Sequence, residues 1–162
     1  MDTAAVFNFQ FFCSLFMFGL VATWFVWPRL TRMGRIEALT PLFVYSAFRY
    51  LGTFFLVTQM TAGLPREWAG PAAYLDILSA SIALIGAFLA RFGSRLSIPV
   101  TWIYGFVGAA AFAHGAMDAD KYQTPLHIGP VMPMMTVLGP SWMITIGLIF
   151  FVLLKHPKKG SI

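Results

Sequence analysis

The stretch VYSAFRYLGTFFLVTQM, residues 44–60, decides how the rest of the chain is read: it is almost wholly apolar, yet Arg49 sits near its centre. A helix of about 20 apolar residues crosses the ~30 Å hydrocarbon layer of a bilayer at ~1.5 Å per residue. The composition says which solvent this stretch faces. Hydrophobic residues make up 59% of the 162 and charged residues only 10%, against roughly 25% charged in soluble domains. With a mean hydropathy of +0.76, the chain reads as an integral membrane protein.

Working outward, the apolar blocks cover residues 6–27, 40–60, 71–90, 98–117 and 130–154. The connectors WPRL, TAGLPREWAGP, RFGSRLSIP and DADKYQTPLHIGP contain the proline and glycine that turns accept at little cost. The pattern predicts an all-α, polytopic transmembrane helix bundle of about five spans, forming a single domain over residues 1–162. Pro130, Pro133 and Pro140 crowd the start of the last block, so the last helix is expected to be proline-kinked. The N-terminal MDTAAVFNF has no basic flank, and the apolar run to Trp27 is too long for a signal peptide core. It reads as a retained first helix.

Orientation follows from lysine and arginine. Arg29, Arg32, Arg35, Arg91, Arg95, Lys155, Lys158 and Lys159 fall on one side of a five-span arrangement, and only Arg66 and Lys121 on the other. That places the N-terminus outside and the C-terminus in the cytoplasm, in a plasma (inner) membrane of bacterial type. Trp24, Trp27, Trp68 and Trp102 lie near span ends, as an interfacial aromatic belt requires. The +5 net charge does not indicate nucleic acid, because the basic residues flank spans and form no stripe with aromatics. A single cysteine, Cys13, excludes an internal disulfide and a CxxC motif.

A charge at bilayer depth needs a partner inside the bundle. Asp76, in PAAYLDILSASIALIGAFLA, is the one acid inside an apolar block. By rise per residue the two Cα levels differ by roughly 8 or 9 Å, within reach of a snorkelling arginine. Asp76, Ser79, Ala83, Gly86 and Ala90 share one helix face, as do Tyr45, Arg49 and Gly52. Small residues on such a face let helices approach closely in lipid, and Gly105, Ala109 and Ala113 suggest a further small-residue series. The expected site is Arg49, Asp76, Tyr45, Tyr74 and Ser79. It reads equally as a ligand, ion or proton site and as an ion pair that fixes helix register. A lipid headgroup or a neighbouring subunit is the other candidate partner for Arg49.

A second polar region precedes the last span. His114, His127, Met132, Met134 and Met135 offer imidazole and thioether groups that suit Cu(I). Alternatively His114, following the small Ala110, and His127 could serve a tetrapyrrole; that AxxxH spacing resembles pigment-binding helices of light-harvesting polypeptides. Interfacial hydrogen bonding explains the same histidines without a cofactor, so the sequence leaves the cofactor unknown. Enzyme motifs such as GxSxG, HExxH and the P-loop do not occur, and no lysine lies within a span to hold retinal. Two function classes remain. One is a small ligand-binding or transporting bundle, acting as an oligomer. The other is a non-catalytic subunit of a larger membrane complex. Membrane lipids are partners in both.

Overall fold

The computed structural model describes residues 2–61, 63–119 and 121–155. Asp120 and the tail lysines Lys158 and Lys159 lie outside the described residues. Among those described, the regular structure is all helical and there is no strand. Helix α1 spans Thr3–Leu30, α2 runs as α-helix over Arg35–Ala47 and continues as a 3-10 helix over Phe48–Leu56, α3 spans Arg66–Arg91 and α4 Ser97–Ala119. A short α5, Thr124–His127, leads into α6, Gly129–Leu154. The four helices α1, α3, α4 and α6 are long and apolar enough to cross a membrane. This is the transmembrane-type helical bundle expected from the apolar blocks.

Proline shapes the two outermost helices. The first apolar block was expected to stop at WPRL, but α1 runs through Pro28 by widening into a π-helical segment at Ala22–Val26. Proline has no N–H to donate four residues back, and a π-turn absorbs the mismatch without ending the helix. In α6 the same physics gives a 3-10 turn at Gly129–Val131 and a π segment at Met134–Leu138, before regular helix resumes at Gly139. Pro140 leaves the Thr136 carbonyl without its usual donor. The proline-rich start of the last span is therefore irregular, as its sequence requires.

Side-chain contacts fix the topology. Along α2 and α3, Phe43 meets Gly86, Arg49 meets Asp76 and Phe55 meets Trp68, so the two helices are antiparallel. Between α4 and α6, Gly105 faces Phe150 and Gly108 faces Ile146, again antiparallel. Helix α1 runs parallel to α6, with Thr136 bonded to Gln10 at one end and Trp27 against Phe151 at the other. Arg35, at the start of α2, donates to the Leu153 carbonyl at the end of α6. The chain thus alternates direction at each long connector.

Two apolar cores result. One, around Leu39, Phe43, Tyr104, Ile149 and Val152, fills the half of the bundle bearing Arg35. The other, around Phe55, Trp68, Ile128 and Val131, closes the opposite end. Arg49 and Asp76 sit between them.

Candidate functional site: a buried ion pair beneath an aromatic cavity

The 3-10 stretch of α2 explains how one arginine is presented to the bundle interior. With three residues per turn, side chains three apart eclipse one another. Arg49, Gly52 and Phe55 therefore stack on one face, and all three are buried. Arg49 is seven residues from the end of that segment at Leu56, or ~14 Å at ~2.0 Å per residue. Asp76 is ten residues into α3, or ~15 Å at ~1.5 Å per residue. The 8–9 Å offset expected from the apolar blocks vanishes, because α3 starts at Arg66 and the 3-10 geometry lengthens α2. The arginine has no need to snorkel.

Both Nε and Nη2 of Arg49 donate to Asp76 Oδ1, at 2.9 and 2.6 Å. The Arg49 side chain is only 2% exposed. Nη1 reaches the Gly108 carbonyl at 3.5 Å, a long contact. The guanidinium carbon lies 4.7 Å from the Phe112 ring centroid and 5.9 Å from that of Trp142, placing cation–π contacts on the cation. Gly52 makes the approach of α2 to α3 feasible: a Cβ there would lie 2.3 Å from Asp76 Oδ2. A guanidinium carries five N–H donors, and two are well used. A third points at the Gly108 carbonyl, which leaves two N–H groups for something else.

That something has room. A cavity of about 380 Å³ opens above the pair, within the ~300–1,000 Å³ typical of small-molecule sites. Aromatic rings of Phe11, Phe12, Phe55 and Phe112 line it together with Trp68 and Trp142, and α4 contributes a wall of Ala111, Gly115, Ala116 and Ala119. Arg49 and Asp76 are its charged lining residues. Trp68 and Trp142 are both buried, and neither indole N–H has a hydrogen-bond partner among the described residues. The cavity belongs to the end of the bundle that carries the N-terminus of α1 and the connector between α2 and α3.

Of the other residues expected at the site, Ser79 is fully buried one turn from Asp76, on the shared face of Ser79, Ala83, Gly86 and Ala90, all of which are buried. Tyr45 bonds Ser141 on α6 through its hydroxyl, tying α2 to α6 one turn from Arg49. Tyr74 does not join them. It is 68% exposed on the far side of α3, since two residues turn a helix by about 200°. Behind the pair, Ser46, Ser79 and Tyr104 bring three fully buried hydroxyls; Tyr104 is within electrostatic reach of Arg49 and Ser46, but none of the three makes a well-formed hydrogen bond among the described residues.

The second polar region divides. His114 pairs with Asp118 one turn on, its Nδ1 3.5 Å from Oδ2. His127 packs instead against Gly63 in the connector before α3, where a Cβ would lie 2.9 Å from its Nδ1. The two histidines have different neighbours, and among the described residues no group of three or more His, Cys, Asp or Glu side chains forms a metal-binding cluster. Met134 and Met135 line the cavity, while Met132 packs on the core beside Val131. The small-residue series on α4 needs correction. Gly105 is buried but Ala109 and Ala113 are exposed, because successive steps of four drift ~40° each around the helix. The inward face is Thr101, Tyr104, Gly105 and Gly108, where each residue has another of the set three or four positions away.

Sequence reasoning missed the aromatic half of the site. Phe112 and Trp142 hold the guanidinium, and the α1 phenylalanines wall the cavity, but in a chain with 17 phenylalanines no single one stands out. The signal that could have found Phe112 is its spacing of four from Gly108. Residues 6–154 match the family described as Domain of unknown function (DUF8737). The chain belongs to that family. No curated protein and no solved structure matches it. Arg49, Asp76 and every cavity-lining residue fall within the matched span.

Proposed function

We propose that this membrane protein binds a small, lipid-soluble ligand in the cavity above the Arg49–Asp76 pair. The observation that carries the reading is a fully buried arginine with unspent donors at the floor of an aromatic-lined cavity. A pair that only fixes register has no use for such a space above it. The basic connectors and Arg35 lie at the end of the bundle away from the cavity, so by the positive-inside rule the cavity faces the outer leaflet. This gives an outside N-terminus and a cytoplasmic C-terminus in a plasma (inner) membrane. Tyr45, bonded to Ser141, ties α2 to α6 one turn from Arg49, and Ser79 lies one turn from Asp76 on α3.

The test uses Gly115, where an added Cβ meets nothing within 4 Å, so a larger side chain grows into the cavity without moving the backbone. Protein purified in mild detergent should release a small molecule on solvent extraction, detectable by mass spectrometry, and Gly115→Leu should not. Equal recovery from both proteins would refute the reading.

A second reading, a non-catalytic subunit of a larger membrane complex, draws on α1. Its Thr3–Val21 part buries no residue, and Phe9, Phe12, Phe16 and Trp24 lie exposed along the helix. Native electrophoresis of gently solubilised membranes decides between the free chain, a homo-oligomer and a complex with other subunits.

A further inference from the structure

The balance of charge and of hydrogen-bonding groups within the cavity narrows the class of ligand; this step rests on the cavity being a ligand site. The lining holds one cation and one anion, and these already neutralise each other at 2.6 Å. An anionic ligand would leave a net negative charge among aromatic and small apolar side chains, and a cationic one a net positive charge. Either is strongly disfavoured where little water can solvate it. A neutral ligand leaves the balance intact.

Among the described residues, the fully buried atoms of the lining that lack a hydrogen-bond partner are donors. Arg49 has N–H groups beyond the two that meet Asp76. Trp68 and Trp142, 1% and 3% exposed, both line the cavity and have unpartnered indole N–H groups. Indole nitrogen only donates, and so does guanidinium. A ligand that meets these donors presents an acceptor; the lining's own acceptors are the Asp76 carboxylate, already on Arg49, and the exposed Asn8 amide. Aromatic rings from several helices, facing the alanine and glycine wall of α4, favour a body with flat π-faces.

We propose that the cavity takes a neutral, flat, lipid-soluble carbonyl compound, of the aromatic ketone or quinone class, whose carbonyl oxygen accepts from Arg49. The apolar ring stacks among the phenylalanines, and the carbonyl is held at the floor beside the indoles of Trp68 and Trp142.

One naphthalene body with four different heads tests this. Binding of 1-acetylnaphthalene, naphthalene, 1-naphthoate and 1-naphthylmethylammonium to the full-length protein in neutral detergent is followed by equilibrium dialysis, with Gly115→Leu as the blank for micelle partitioning. The neutral ketone should bind about ten- to a hundredfold tighter than naphthalene, the range for a hydrogen bond to a charged donor. The naphthoate and the ammonium should bind no tighter than naphthalene, and Gly115→Leu should lose the preference. Ketone and naphthalene binding equally would overturn the carbonyl assignment. Naphthoate binding tightest would overturn neutrality while leaving the ligand site standing. Should no probe exceed the Gly115→Leu blank, the ligand-site reading itself fails.

Discussion

Arg49 and Asp76 depend on each other more than either depends on its helix. Removing the carboxylate leaves a guanidinium that is buried, held by two rings and short of a counter-charge. Breaking one side of such a pair typically costs about 3–5 kcal/mol, so Asp76→Ala should lower stability by that order in detergent unfolding experiments. Replacing both charges, as Arg49→Met with Asp76→Leu, should restore much of the loss. Losses that simply add in the double variant would mean that the pair carries no coupling energy. Gly52 provides a finer probe of the same spot. A methyl group there overlaps Asp76 Oδ2 and its Cβ, and overpacking of this kind costs about 1–3 kcal/mol. Gly115→Ala, which enters open space within α4, should be neutral or stabilise by up to about 1 kcal/mol. If the two alanine variants are equally stable, α2 and α3 do not approach as closely as described.

The helices show what the sequence could and could not disclose. The face of α3 was legible because Asp76, Ser79, Ala83, Gly86 and Ala90 keep the three-and-four rhythm of a regular α-helix, and all are buried. The opposite face was legible too, with Leu84 and Phe88 exposed. Helix α2 was less so, because a change from 3.6 to 3.0 residues per turn leaves no mark on hydropathy, and it is this change that stacks Arg49, Gly52 and Phe55. The cavity was not legible at all. It arises from side chains of α1, α2, α3, α4 and α6 that no local pattern relates. Packing on the α3 face gives a prediction at this scale. A Cβ at Gly86 would lie 2.6 Å from the Phe43 ring, so Gly86→Leu should push α2 from α3 and cost about 1–3 kcal/mol or more. Leu84→Ala, on the exposed face, should stay within about 0.5 kcal/mol. Similar losses from both would place the α2–α3 contact elsewhere.

For the whole molecule the deciding element is again α2. Four helices are long and apolar enough to cross a membrane, and α2 is not among them. Its arginine and tyrosines lower the hydropathy of the span. Yet 13 residues of α-helix followed by nine of 3-10 helix reach ~37 Å, and α2 runs antiparallel to α3 for its full length. Arg49 lies in the bundle interior, not against lipid, so the helix can cross without exposing its charge. If α2 crosses, Arg32 and Arg66 lie on opposite sides of the membrane; if it does not, they share one. Cys13 is first replaced by serine, and a cysteine is then placed at Arg32, Arg66 or Arg95 in turn. A membrane-impermeant maleimide applied to intact cells should label the Arg66→Cys protein and spare the Arg32→Cys and Arg95→Cys proteins until the membrane is opened. Labelling of Arg32→Cys together with Arg66→Cys would remove α2 from the spans. Labelling of Arg32→Cys and Arg95→Cys with Arg66→Cys spared would keep five spans and invert them, placing the cavity toward the cytoplasmic leaflet.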